Sequence, residues 1–310
     1  METRSIGSLK VSLAGLGCNN FGGRCDADQT AAVVAAALDA GITFFDTADV
    51  YGGTHSEEFL GRALGSLRDD VVVATKFGHQ VGDDPEHSGG SARWVTRACE
   101  DSLRRLGTDH IDLYQLHRPD PKTPIEETLG ALDELVRAGK VREIGNSNFD
   151  GAAMDEADDV ARTRGFARFA SAQNHYNLLH REAESDVLPA CARLGLGQLP
   201  YFPLASGMLT GKYRRGEPPP EGTRLATVPE ERRARIFSDE NFDVVERLES
   251  IAVKRGRSLL DVALGWLAAQ PAVASVIAGA TTPWQVRANA AATSWEPSSE
   301  DLAELGALTS

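Results

Sequence analysis

Eight short apolar runs, rich in β-branched and aromatic residues, recur along the chain and are separated by segments with helical periodicity. They are LAGLG (13–17), ITFFD (42–46), VVVATK (71–76), IDLYQLH (111–117), VREIGNSN (141–148), FASAQN (169–174), LGQLPYF (196–202) and ASVIAG (274–279). Each is continuous rather than alternating, as in strands buried on both faces of a parallel sheet. The helical segment TPIEETLGALDELVRAG carries its own punctuation. Thr123 is placed to cap it, Pro124 suits the first helical position, Glu126 completes a capping box and Gly139 supplies a left-handed stop. Ile125, Leu129, Leu132 and Val136 share one face. SARWVTRACEDSLRRLG, ending at Gly107, reads the same way.

Strands alternating with helices near the ~30-residue interval of a βα unit either open as a doubly wound sheet or close as a barrel. Eight units, at a typical size of ~250 residues plus insertions, favour a (β/α)8 TIM barrel. The reading is one domain over residues 1–310. Residues 3–11 read as a β-hairpin turning at Gly7-Ser8, placed to plug the barrel's bottom. After the seventh strand, residues 204–238 are rich in proline and charge and too long for an ordinary connection. We expect a lid there, with 214–235 as flexible surface.

Composition narrows the function. At 42% hydrophobic and 25% charged the chain is ordinary globular protein, and no apolar run approaches the ~20 residues of a membrane span. METRSIGSLKVS lacks the apolar stretch and cleavage site of a secretory signal, and four scattered cysteines form no CxxC pair. These point to a reduced, cytoplasmic protein. With 45 acidic against 32 basic residues, the net charge of −13 opposes binding to nucleic acid or anionic membranes. No HExxH or comparable ligand spacing suggests a metal. GLGCNNFGG fails as a GxGxxG fingerprint because Asn20 stands where the third glycine is required. A small-molecule partner remains.

In a barrel of this type the chemistry sits at the C-terminal ends of the strands. Those ends carry Asp46, Lys76, His117, Ser147 with Asn148, Gln173 and Tyr201, and Tyr51 follows five residues after Asp46. One such residue alone is ordinarily a cap or a solvated strand end. Together they suggest a proton-transfer site. A tyrosine titrates near pH ~10 and is a poor acid at neutrality. The ammonium of Lys76 beside it is expected to lower that value, with Asp46 keeping the lysine charged. Tyr51 then becomes a usable acid for a carbonyl/alcohol pair, and His117 either bonds the carbonyl oxygen or relays the proton. The group supplies no hydride, so a cofactor is implied.

GITFFDTADVYGGTHSEEFLGRAL resembles the signature region of the aldo-keto reductases, VVVATKFG the segment of the family's lysine, and DLYQLHRPD that of its histidine. EIGNSNF, AQNHYNLL, YFPLASGMLTGKY and VIAGATTPWQVRANAAA continue the match in order across essentially the whole chain. The resemblance implies reduction of aldehydes and ketones, with Tyr51 as general acid, Lys76 and Asp46 tuning it, and His117 orienting the carbonyl. It implies that Ser147, Asn148 and Gln173 hold the nicotinamide carboxamide and that Tyr201 stacks on the ring. Leu204, Ser206, Gly207 and Lys212 then wrap the pyrophosphate, and Gly279, Ala280, Thr281, Gln285 and Asn289 hold the adenosine end. Asn20, Phe21 and Phe77, with Cys18, Asn19 and Arg118, are expected to meet substrate.

The chain departs from the family at one end. Gly279-Ala280-Thr281 replaces the Lys or Arg common in NADPH-preferring members, and Ala288 replaces an acidic residue. Arg287 is close enough in sequence to answer a 2′-phosphate. The resemblance therefore implies NADPH, with NADH as the alternative. Two rival readings use the same residues. One is a nucleotide-binding redox sensor or regulatory subunit with slow turnover, like the β subunits of some ion channels. The other is a Schiff-base aldolase with Lys76 as nucleophile.

Overall fold

The computed structural model describes residues 1–308. A hairpin, β1 (Thr3–Ile6) and β2 (Leu9–Ser12), leads into β3 (Ala14–Gly17). Then follow α1 (Ala27–Asp39), β4 (Phe44–Asp46), α2 (His55–Leu64), β5 (Val72–Phe77), α3 (Ala92–Leu106), β6 (Ile111–Leu116) and α4 (Ile125–Arg137). The next units are β7 (Val141–Ser147), α5 (Gly151–Arg164), β8 (Phe169–His175), α6 (Val187–Leu194) and β9 (Gly197–Tyr201). After a long connection come α7 (Glu230–Ile236), α8 (Asp239–Lys254), α9 (Leu259–Ala268), β10 (Val276–Gly279), α10 (Pro283–Thr293) and α11 (Ser299–Ala307).

The eight strands β3 to β10 are parallel and pair in the order β10-β3-β4-β5-β6-β7-β8-β9. The gap between β9 and β10 is closed just ahead of β10. There Gln198 donates its N–H to the Ala272 carbonyl and accepts from Ala274 N, each at 2.8 Å. The result is the expected (β/α)8 barrel. Its bottom is plugged by the hairpin, whose Ile6, Leu9 and Val11 pack with Phe44, Leu113, Leu199 and Ile277 inside the barrel. Each such side chain contributes ~1.5–3 kcal/mol by leaving water. At the hairpin turn Ser8 N donates to Glu143 Oε1 at 2.7 Å, fixing the plug to β7.

One local expectation fails. Thr123 does not cap α4: its hydroxyl donates to Asp120 Oδ2 at 2.8 Å, and Pro124 takes the cap position with no side-chain bond. Asp120 also collects the N–H groups of Gly90 and Lys122, so a carboxylate organising the loop outcompetes the helix for the hydroxyl. Without that cap the box cannot form, and Glu126 pairs with Arg164 instead. Residues 214–235, expected as surface, are mostly exposed and are anchored at several points. Leu225 is fully buried and donates its N–H to Tyr213 Oη at 3.3 Å, and Arg24 donates to the Gly222 carbonyl at 2.8 Å. Arg215 meanwhile bonds Asp239, Asp243 and Glu246 of α8. The segment is a tethered wall of the barrel mouth.

Candidate active site

Residues pairing across the barrel fall into tiers, because strand register sets the height of each inward-facing side chain. Lys76 pairs with Gln115, which pairs with Gly145, and Ser147 pairs with Gln173. Asp46 at the end of β4 faces into the same space. Lys76 Nζ lies 2.6 Å from Asp46 Oδ2, donates to the Thr47 carbonyl at 2.8 Å, and reaches Tyr51 Oη at 3.5 Å. The other Asp46 oxygen accepts from Gln173 Nε2 at 2.9 Å and from Gln115 Nε2 at 3.2 Å. Tyr51 is delivered by a left-handed turn, Gly52-Gly53-Thr54, in which a Cβ on Gly52 would collide with the Phe21 carbonyl. Its ring meets His117 edge-on at 5.8 Å between centroids, and His79 meets His117 at 4.2 Å.

The charges are settled by burial and neighbours. Burial works against the Lys76 ammonium, but Asp46 and Tyr51 outweigh it and hold its pKa above the ordinary lysine value. The ammonium is wholly buried. The expected lowering of the Tyr51 pKa is not found. Burial of the phenol raises it, and the opposing pull of Lys76 does not overcome that. Tyr51 is therefore a protonated phenol at neutral pH. Burial also pushes the His117 pKa down to about 2, with Lys76, His79 and Arg118 adding to the effect. A neutral imidazole results, suited to bonding an oxygen rather than to donating a proton as imidazolium. An ammonium this buried and held charged by Asp46 is a poor Schiff-base nucleophile, which counts against the aldolase reading.

Above this group opens a cavity of about 960 Å3. Asp46, Tyr51 and His117 line it, whereas Lys76 lies behind Tyr51. Twelve of the thirteen residues expected to hold the cofactor line it too: Ser147, Asn148, Gln173, Tyr201, Leu204, Ser206, Gly207, Lys212, Gly279, Thr281, Gln285 and Asn289, whereas Ala280 is buried beneath its surface. A hydrogen-bonded string crosses four strand ends. Tyr201 Oη donates to Asn148 Oδ1 at 2.8 Å, and Asn148 Nδ2 donates to the His117 carbonyl at 2.9 Å and to Ser147 Oγ at 3.1 Å. Ser147 Oγ donates to the Gln173 carbonyl at 2.8 Å. Farther along, Ala205, Ser206 and Gly207 are consecutive left-handed residues, and a Cβ on Gly207 would press on Lys212 Nζ at 2.8 Å.

Of the residues expected to meet substrate, Asn19 and Asn20 line the cavity, and Asn20 Nδ2 donates to the Ala280 carbonyl at 3.2 Å. Phe21 and Phe77 do not. Both are fully buried in the core between barrel and helices, where Phe77 packs on Tyr114 at 4.6 Å. The cause for Phe77 is strand alternation: Lys76 faces inward, so its neighbour must face out. Cys18 is likewise fully buried. The cysteines at 18, 25, 99 and 191 are all free and buried.

Sequence reading missed Arg24, His79, Arg224 and Trp284, which line the same cavity. Arg24 and Arg224 lie close to Lys212, and after burial they are what lowers its pKa. Three cations thus gather on one wall of a protein of net charge −13, with Glu221 the nearby lining acid. Among the described residues no helix is long and apolar enough to cross a membrane, and no group of three or more His, Cys, Asp or Glu is placed to hold a metal.

The sequence profile of the Aldo/keto reductase family matches residues 14–309. Aldo-keto reductase YhdN of Bacillus subtilis is 36% identical over 317 residues, covering 99% of this chain and 93% of its own length. The uncharacterized oxidoreductase YrpG of the same species is 37% identical over 300 residues, covering 93% and 89%. A probable voltage-gated potassium channel subunit beta of Oryza sativa subsp. japonica is 36% identical over 296 residues, covering 93% and 90%.

Proposed function

Because this chain belongs to the aldo/keto reductase family, and is an oxidoreductase on that ground, we propose that it reduces aldehydes and ketones to alcohols with NADPH, Tyr51 supplying the proton. The observation that carries the reading is the contact of Lys76 Nζ with Asp46 at 2.6 Å and with Tyr51 at 3.5 Å, set beneath a cavity with three cations on its wall. The fit to a dinucleotide rests on that wall. Left-handed backbone at 205–207 curls beside Lys212, Arg24 and Arg224, an arrangement for oxyanions of a phosphate. A bound reduced nicotinamide supplies the hydride.

The chain's own groups do the rest. His117, neutral, bonds the carbonyl oxygen and holds it beside Tyr51. The phenol passes its proton to that oxygen as negative charge develops there. Lys76, kept charged by Asp46, stabilises the phenolate left behind, and Gln115 and Gln173 hold the carboxylate in place. Ser147 and Asn148, tied to each other and to Tyr201, would hold the carboxamide end of the cofactor.

A second reading, a nucleotide-binding redox sensor with slow turnover, draws on the rice relative named as a channel subunit. Turnover discriminates between the two. Fluorescence titration with NADPH and NADH, followed by steady-state reduction of a panel of aldehydes and ketones, is the test. Tyr51→Phe should keep cofactor binding and lose reduction by 100-fold or more, within the roughly 10²–10⁴ range of positioned acids. Binding with negligible wild-type turnover favours the sensor, and failure to bind either dinucleotide overturns both.

A further inference from the structure

Trp284 is the one aromatic among the large apolar side chains left in the open over the described residues, at 74% exposure. Burying an indole removes 150–250 Å2 from water, so leaving one exposed forgoes a large stabilisation. The position is well held. Trp284 is the second residue of α10, whose cap Thr282 accepts from Gln285 N at 3.3 Å. Gln285 in turn accepts from Thr281 N at 2.8 Å and from the Thr281 hydroxyl at 3.1 Å, fastening the loop before the helix.

Trp284 also lines the cavity that contains Tyr51, as do Gln285 and Ala288 of the same helix and Leu260 of α9. The same cavity therefore offers a proton donor, a wall of three cations, and a flat apolar surface at its open rim. A ligand that uses all three has a reactive head, a polyanionic middle and a flat heteroaromatic end. Resting on the dinucleotide reading above, we propose that Trp284 is the platform on which the purine ring of the bound cofactor stacks, so that this residue sets cofactor affinity without taking part in the chemistry. At 74% exposure most of the Trp284 side chain is uncovered, and base–aromatic stacking requires only a π-face from its ligand.

Calorimetric titration of wild type, Trp284→Ala and Trp284→Phe with NADPH, with 2′,5′-ADP and with nicotinamide mononucleotide tests this. Trp284→Ala is expected to weaken NADPH and 2′,5′-ADP by a similar factor, about 10-fold, leaving nicotinamide mononucleotide unchanged. Trp284→Phe should recover most of that loss. At saturating NADPH the turnover number should hold while the KM for NADPH rises. Wild-type binding of NADPH by Trp284→Ala overturns the proposal and leaves the reductase reading intact. Equal loss of the mononucleotide overturns it as well, since that is general damage to the cavity. If the wild type binds no dinucleotide at all, the reductase reading falls first.

Discussion

Gly145 and Gln115 share a space that only one side chain can fill. A Cβ at 145 would lie 3.1 Å from Gln115 Cγ and collide with Ser171 Oγ. Gln115 uses that room to extend its amide to Asp46, whose other oxygen holds Lys76. A bare backbone on β7 is thus part of what fixes the charge beside Tyr51. Gly145→Ala is expected to cost ~1–3 kcal/mol of stability, the usual range for overpacking a filled core. It should also lower turnover more than cofactor affinity. Urea unfolding with steady-state kinetics reads both, and an unchanged midpoint with full turnover contradicts the account.

The Lys76–Asp46 pair makes a second prediction. Removing one partner of a buried pair strands the other, at ~3–5 kcal/mol, whereas replacing both removes much of that penalty. Lys76→Met leaves the Asp46 carboxylate facing only glutamine amides and should be strongly destabilising. Adding Asp46→Asn should return a large part of the loss while activity stays absent. A double variant no more stable than Lys76→Met would show that the stranded charge is not the cause.

His117 predicts a pH dependence. Its folded-state pKa of about 2 lies below the ordinary 6.5, so the unfolded chain takes up a proton that the folded chain refuses. Stability from this residue is therefore complete above pH 6.5 and is lost as the pH falls toward 2. The slope approaches about 1.36 kcal/mol per pH unit for the one proton. His117→Gln keeps a hydrogen-bonding side chain that does not titrate, so its stability deficit relative to wild type should shrink between about pH 6 and pH 4. Reduction itself should show no inflection from His117 near neutrality. It should fall on the alkaline side as Tyr51 loses its proton, above the usual tyrosine value because burial raises that phenol. A constant deficit across the acid range would mean that His117 is charged in the folded protein.

How much of this was legible beforehand depended on where a residue sits. Asp46, Lys76 and His117 end apolar runs, and a parallel barrel brings strand ends to one mouth whatever the details. Phe77 was misread because adjacency to Lys76 in sequence means the opposite face in a strand. Thr123 was misread because Asp120, three residues earlier, competes for its hydroxyl. The direction of the Tyr51 shift needed the burial of the phenol, which no pattern carries. Arg24, Arg224 and Trp284 escaped because each belongs to a loop or a helix start whose path is set by tertiary contacts, such as Arg24 on the Gly222 carbonyl.

Those cations support the last prediction. Arg24, Lys212 and Arg224 crowd one another enough that, beyond burial, each neighbour makes the Lys212 ammonium harder to hold. Burial acts the same way on Arg224, with Arg24 and Arg232 adding to it. Like charges gathered without a matching set of carboxylates are a standing electrostatic cost, and a bound polyanion relieves it. Arg224→Ala should therefore weaken NADPH by about 10-fold, in line with ~1.5 kcal/mol for a charge-assisted hydrogen bond. The variant should bind with a shallower dependence on ionic strength, because one fewer charge is being screened. Arg224 also lies over the Phe202 ring at 5.2 Å, so Arg224→Lys, which keeps the charge but not the planar stack, should fall between the two. Titration at two salt concentrations separates the contributions. If Arg224→Ala binds NADPH as wild type does at both, the cationic wall faces something other than the cofactor's phosphates.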